Sequence, residues 1–485
     1  MSTNDDWSAP PLIETPTARR RAAPRGQHQA RRALIVAVGI GTGLALLMNG
    51  SVAEPWRQIA TLALALPLLL TLLVGVPSIA TRRALAWVMV CGILAIGWAL
   101  LQTVPLPFDG LTHPVWNTLA DLGIMAEHTI SVAPAATIAA LPGLIVPLAV
   151  FAAMLILCQR REEVVFALTV LVVIGLALTA LSILLEVAFP DIHFFGAFPV
   201  GHGAFNGIFV NRNVTASFLG MTACVTAAHL MIRDGASRSG PPITTGRMVM
   251  AVLLFLVVVT LITTRSRAGV TLGVGALALG FAVTHLLSSR SGLNGGTGRF
   301  TKRQMVAIII GAWVGFFVLF GEPVLSRISL IDTDVRWCVW ADTWRAIQDR
   351  PVTGWGLGTF SEVYPAYRDP DCLGSNNRLV RAHNSYLEFA SDMGLPGVTV
   401  MLIGLVGLVR ILTNGILRRR RLRAIPVFSA AALGFVALHS TADFPVQIPG
   451  IAVYFTALMG VGCAVGLLDD RVERSHERRS RSSGN

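Results

Sequence analysis

Residues 164–188 read VVFALTVLVVIGLALTALSILLEVA, with Glu186 the one charge, close to the end. A bilayer core takes about 20 mostly apolar residues as a helix, so this run spans one with room to spare. Comparable or slightly shorter runs lie near 33–48, 59–77, 85–104, 137–158, 214–232, 248–264, 268–287, 304–320, 395–413, 424–440 and 449–468, making twelve. The whole chain agrees: 485 residues, 53% hydrophobic, 14% charged and a mean hydropathy of +0.64. Soluble domains carry about 25% charged residues, so three soluble domains are excluded and an all-α polytopic membrane protein is expected. Ser51-Val52-Ala53 imitates a signal-peptidase site. The basic leader before the first run is long for a signal peptide, and twelve spans are kept.

A net charge of +12 raises the question of nucleic acid. Assigning loops alternately to the two membrane faces answers it. With the N-terminus cytoplasmic, the inner side holds 28 basic and 10 acidic residues, including Arg19 to Arg21, Arg82-Arg83, Arg160-Arg161 and Arg418 to Arg421. The outer side holds 11 basic and 17 acidic residues. That is +18 inside and −6 outside, as the positive-inside rule requires, and no nucleic-acid partner is needed. The expected organisation is a basic cytoplasmic tail (1–32), nine spans (33–320), a long outer loop (321–394), three spans (395–468) and a second cytoplasmic tail (469–485).

Function is sought on loops held by a rigid scaffold, above all the longest. Asp334 to Arg350, DVRWCVWADTWRAIQDR, places Trp337, Trp340, Trp344 and Ile347 on one helical stripe, which predicts an amphipathic helix at the outer membrane surface. Arg336 borders that stripe, as a snorkelling anchor or as a ligand for a diphosphate. Pro351 stops the helix. The following Gly354-Trp355-Gly356-Leu357-Gly358 is either a tight turn or a nest of N–H groups for an anion. Ser385 and Glu388 have capping-box spacing and predict a helix from Ser385. His383 then precedes a helix N-terminus, whose positive end disfavours imidazolium. It reads as a neutral general base or as an inconsequential surface histidine. Gly394-Leu395-Pro396-Gly397 breaks this helix and opens the tenth span.

Two further outer clusters follow. Thr263 to Gly269 carries Arg265 and Arg267 in a hairpin between apolar helices, where cations are costly without anionic partners. Arginine suits phosphate because its planar fork bonds two oxygens. Asn211-Arg212-Asn213, after a stretch rich in Phe and Gly, is either a re-entrant loop offering amides to hydroxyls or a helix cap at Asn213. Cys338 and Cys372 share the long outer loop and are expected either as a disulfide or as two free thiols. The histidines and acids, His193, His202, His439 and Asp443 among them, match no metal motif, so no metal is expected.

Taken together, these pieces resemble the bacterial O-antigen ligase/O-antigen polymerase family. His383-Asn384, nine residues and Gly394-Leu395-Pro396-Gly397 resemble its pattern of His, small polar residue, spacer and G-x-x-G. Ser266-Arg267-Ala268 resembles its Ser-Arg-Gly/Ala motif. Arg336 with Trp340, Pro351 and the Gly354/Gly356/Gly358/Phe360 run resembles its Arg-x-x-x-Trp…Pro-x-x-Gly-x-Gly segment. Asn211-Arg212-Asn213 resembles its Asn-x-Asn turn, with Arg212 where proline is usual.

The resemblance implies a GT-C-type helical fold in the bacterial inner membrane with a periplasmic site. It implies transfer of a glycan from undecaprenyl diphosphate to an acceptor sugar hydroxyl, on lipid A-core for a ligase or on a growing glycan for a polymerase. Neither metal nor other cofactor is implied. Arg267 and Arg336 are then expected on the diphosphate with Arg265 assisting, and His383 as the group that deprotonates or orients the acceptor. Asn384, Asn211, Asn213 and Arg381 are expected on substrate. The rival reading is a multi-span polysaccharide transporter or flippase without transferase activity. Transporters usually bury ionisable groups in mid-membrane, and these spans hold almost none.

Overall fold

The computed structural model describes residues 25–75, 78–107, 110–124, 127–189, 204–209, 211–232, 244–289, 335–373 and 379–468, which contain helices and no strand. The first seven helices are α1 (Arg25–Leu47), α2 (Trp56–Thr71), α3 (Ile79–Leu101), α4 (Val115–Asp121), α5 (Pro134–Ala140), α6 (Pro142–Leu157) and α7 (Arg161–Ala188). They are followed by α8 (Arg212–Leu230), α9 (Thr245–Thr263), α10 (Arg267–Ser289), α11 (Val335–Asp349), α12 (Phe360–Tyr367) and α13 (Pro370–Leu373). The last three are α14 (Ser385–Arg418), α15 (Ala424–His439) and α16 (Pro449–Leu467).

Eight helical stretches among the described residues, with α5 and α6 together forming one (Pro134–Leu157), are long and apolar enough to cross a membrane, and α2 and α15 are shorter apolar helices. The chain is a multi-pass membrane protein. Eleven of the twelve expected runs coincide with helices, while the ninth, near 304–320, lies outside the described residues. The tails before 25 and after 468 also lie outside them.

The run at 214–232 becomes α8, which is less a lipid-facing span than the centre of the bundle. From Val214 to Ala228 every one of its residues is buried, with α7, α9, α10 and α15 around it. Its small residues (Ala216, Ser217, Gly220, Ala223, Ala227) admit large partners: Phe218 meets Phe209 and Tyr454, and Phe435 lies over Gly220. Close approach through small residues is the usual way helices associate in lipid. At one end of the bundle α1 is locked to α7 through Glu163, which is wholly buried. Its carboxylate accepts from Arg31 Nη1 (3.4 Å), from the N–H of Gln159 (2.9 Å) and from the N–H of Arg160 (3.0 Å), with His28 Nδ1 at 3.2 Å. So many donors are what a buried carboxylate requires.

At the other end a second layer packs on the bundle, made from the described residues of 102–140 and 335–393. Its seam is Gln102, at the end of α3. Gln102 Nε2 donates to Thr353 O (2.9 Å) and Asp392 O (3.0 Å), and its Oε1 accepts from the Leu357 N–H (3.2 Å). Arg350 Nη2 donates to Thr112 O at 2.9 Å, and the His113 ring lies 4.9 Å from that of Trp355.

The tryptophan helix forms as α11. Its buried face is Val339, Asp342, Thr343 and Ala346, packed on Phe360, Val363, Tyr364 and Ala382. Trp337 and Trp344 point outward, 56% and 53% exposed. Cys338 is disulfide-bonded; the side chain of Cys372 lies outside the described residues.

Candidate functional site

The helix starting at Ser385 has its cap one residue earlier than the Ser385/Glu388 capping box predicts. Asn384 Oδ1 accepts from the N–H groups of Tyr386 (3.0 Å) and Leu387 (3.1 Å). Glu388 instead reaches back over the turn, accepting from the Ala382 N–H (2.8 Å) and from Arg381 Nη1 (2.7 Å). Arg381 is therefore engaged by a buried carboxylate, and Asn384 has its oxygen committed to the helix. Between these two braces His383 is held at φ +51, a left-handed conformation that is uncommon for a residue with a side chain. The turn aims its ring at the segment after α15.

There His383 Nδ1 lies 3.8 Å from Asp443 Oδ1, and the ring meets Phe444 edge-on at 5.0 Å. The nitrogen–oxygen distance is longer than a hydrogen bond, so the carboxylate is a close neighbour of the ring that becomes an ion-pair partner when the ring carries a proton. Asp443 is 2% exposed. Burial alone would raise its pKa, but His383, His439 and the Phe444 N–H outweigh it and hold the carboxyl below the usual carboxylate range. His439, at the end of α15, is buried, and its Nδ1 is 2.9 Å from Ser217 Oγ. Arg336 bears electrostatically on His439, so the N-terminal turn of α11 belongs to the same region.

Ser217 also connects the arginine hairpin. Its hydroxyl donates to Asn213 O (3.0 Å), while Asn213 Oδ1 accepts from Ser266 Oγ (2.8 Å). Ser266, flanked by the exposed Arg265 and Arg267, is buried and heads α10. The cap of α8 is Asn211 rather than Asn213: Asn211 Oδ1 accepts from the N–H groups of Asn213 (2.9 Å) and Val214 (3.0 Å). A run of contacts thus passes from the hairpin through Asn213, Ser217, His439 and Asp443 to His383, all at the end of the bundle under the second layer.

The expected residues therefore divide. Arg265, Arg267, Arg336 and His383 are drawn to one region. Asn211, Asn384 and Arg381 build the turns that hold it, and Asn213 braces Ser266. The anion nest considered for Gly354–Gly358 does not form, because its N–H groups are used internally. Trp355 donates to Ser391 O, Gly356 to Asp392 O and Gly358 to Asp392 Oδ2 (3.0, 3.0 and 2.7 Å). Ser217 escaped the sequence reading, and His439 and Asp443 were weighed there only as metal ligands. The available signal was a histidine closing an apolar span with an acid four residues on. Among the described residues no group of three or more His, Cys, Asp or Glu could hold a metal ion.

No curated protein matches the chain. Residues 251–402 match the family described as O-antigen ligase. That segment runs from α9 into α14 and contains Arg265, Arg267, Arg336, Arg381, His383 and Asn384, whereas Asn211, Asn213 and Asp443 fall outside it. The match rests on the stretch that carries the arginine hairpin and His383, and over that stretch this multi-pass membrane protein is similar to the O-antigen ligase family.

Proposed function

We propose that the chain transfers a glycan from a polyprenyl diphosphate to a sugar hydroxyl, on the outer face of the bacterial inner membrane. The observation that carries this is the joining of a His–Asp pair and an arginine hairpin by one run of contacts at one end of the bundle. The acceptor oxygen attacks the anomeric carbon as the bond from that carbon to the diphosphate oxygen breaks. The bonding electrons leave with the diphosphate. Arg265, Arg267 and Arg336 supply fixed positive charge where that negative charge develops, which is the most effective form of transition-state stabilisation. The hydroxyl proton passes to His383 Nε2, since Nδ1 faces Asp443, and the carboxylate steadies the imidazolium formed. The charge asymmetry of the loops supports an outer site, with both termini cytoplasmic.

The test is transfer by purified protein in detergent, from a polyprenyl-diphosphate glycan to lipid A-core or to a second lipid-linked glycan. Wild type forms product on one of the two acceptors, which tells ligase from polymerase, and His383→Ala does not. No product on either acceptor, or an undiminished His383→Ala enzyme, overturns the proposal.

A further inference from the structure

Between α15 and α16 the chain reads Asp443-Phe444-Pro445-Val446-Gln447-Ile448-Pro449. Two prolines shape it, because each fixes its own φ and has no N–H in need of a partner. Pro445 opens a single 3-10 turn, Pro445–Gln447, and Pro449 opens α16. The turn is pinned at both ends. Pro445 and Ile448 are buried, and Asp443 Oδ1 accepts from the Phe444 N–H at 2.8 Å. The Gln447 N–H donates to Phe444 O at 3.2 Å, which brings Gln447 back beside Phe444. His383 meets that Phe444 ring edge-on at 5.0 Å.

Gln447 is half-buried, and one end of its amide is held. Ser385 heads α14, two residues from His383, and its Oγ lies 2.7 Å from Gln447 Oε1 and 3.2 Å from Asp443 O. The Ser385 N–H donates to Ser440 O at 2.9 Å, so the hydroxyl is itself fixed in place. Among the described residues no group bonds the other end of the amide, Nε2. A primary amide is planar, so holding one end sets the direction of the other. A hydroxyl both donates and accepts, and an amide end fixed in this way matches it.

Resting on the proposed transfer, we infer that Gln447 binds the acceptor sugar, its open amide end bonding a hydroxyl other than the one that reacts. His383 takes the proton of the attacking hydroxyl, and the neighbours of its ring, Asp443 and Phe444, belong to the same short segment as Gln447. The sugar that carries the attacking hydroxyl is therefore the one within reach of the amide. The diphosphate calls for cations, which an amide is not, and it falls to the arginines at the ends of α9, α10 and α11. An uncharged group also leaves the charges of Asp443 and His383 undisturbed. A bond between neutral groups, made alike in the ground and transition states, acts on KM and spares kcat. It also selects, because a site built to bond a hydroxyl rejects a sugar that lacks it.

The test is steady-state transfer by the purified full-length protein, from a polyprenyl-diphosphate glycan to whichever acceptor wild type uses, lipid A-core or a second lipid-linked glycan. Donor and acceptor are varied separately. Gln447→Leu is expected to raise the acceptor KM about fivefold, the worth of one hydrogen bond between neutral groups, and to leave kcat and the donor KM within about twofold of wild type. Ser385→Ala loses the same internal hydrogen bond and keeps the amide, so it is expected to raise the acceptor KM less than Gln447→Leu does. Equal effects of the two variants, an unchanged acceptor KM in Gln447→Leu, or a loss confined to kcat or to the donor KM overturns this inference and leaves the transfer reading standing. No transfer by wild type overturns both. Gln447→Ala supplies the same comparison if Gln447→Leu folds poorly.

Discussion

Asp443→Asn removes one charge, keeps the shape of the side chain and leaves every arginine in place. The wild-type carboxylate lies 3.8 Å from His383 Nδ1 and is 3% exposed at its side chain, against 30% for the histidine. Two unit charges at that distance interact by about 4 kcal/mol at an effective dielectric constant of about 20. The half-open histidine side brings the expectation down to about 2–3 kcal/mol. Under the proposed mechanism that interaction exists only once the imidazolium forms, so the loss falls on kcat and leaves KM unchanged. Transfer is expected to slow about 10²-fold. The carboxyl is held below the usual range, so its charge and its contribution to stability are complete above about pH 4 and vanish as pH falls through the depressed folded value. Assays between pH 6 and 9 therefore compare an ionised Asp443 with a neutral amide throughout. Rates measured on purified protein, with unfolding midpoints in parallel, decide the matter. An Asp443→Asn enzyme within twofold of wild type would falsify the assignment, and a loss confined to KM would place Asp443 on substrate binding.

Three further outcomes are expected. Burial, and then the nearby Arg350, lower His113 from its ordinary 6.5 to about 4. Its folded value is below its unfolded one, so stability present above pH 6.5 is lost as pH falls toward 4. The loss is about 1 kcal/mol at pH 5 after allowance for screening at this half-buried site, and His113→Gln should remove that part of the pH dependence of the unfolding midpoint. Gly394→Ala puts a Cβ 2.2 Å from Val352 O at φ +58 and should cost about 3 kcal/mol, read as a lowered midpoint together with lost transfer. Arg381→Ala leaves Glu388 buried with the Ala382 N–H but without its charged partner, a cost of about 3 kcal/mol. The double variant Arg381→Met/Glu388→Leu should recover most of the midpoint, which a residue acting only on substrate would not show.

The membrane architecture was legible because hydropathy over about 20 residues needs no partner to be read. Residues 164–188 became α7, and the start of α14 at Ser385 and the extent of α11 followed from local pattern alone. The caps were read less well. Ser385 and Glu388 have the spacing of a capping box, but the left-handed turn at His383 carries Glu388 back to Ala382 and leaves Asn384 to cap. Spacing does not encode that backbone choice. Asp443 was out of reach for another reason. It stands sixty residues after His383 in the chain, across two helices, and only the packing of α14 on α15, with Ser385 N–H donating to Ser440 O at 2.9 Å, brings the two together.

The two glycine motifs are halves of one contact, and this bears on where a diphosphate is held. Gly354 sits at φ +66 with a built Cβ 2.4 Å from Asp392 O, and Gly394 sits at φ +58 with one 2.2 Å from Val352 O. Each glycine is required because the other strand's backbone occupies the space a side chain would take. The N–H groups of Trp355, Gly356 and Gly358 are consumed by Ser391 and Asp392, and Leu395 N–H donates back to Pro351 O at 3.0 Å. This crossing sets the direction of the first two turns of α14, and hence the position of His383 at their head. A glycine-rich loop with its donors so committed has none left for phosphate. Under the proposed reaction, recognition of the leaving group then falls to guanidinium side chains, and the arginines at the ends of α9, α10 and α11 are the ones placed for it. Removing the charge of Arg267 or Arg336 should therefore weaken transfer without lowering the unfolding midpoint, whereas any side chain at Gly354 or Gly394 should lower both.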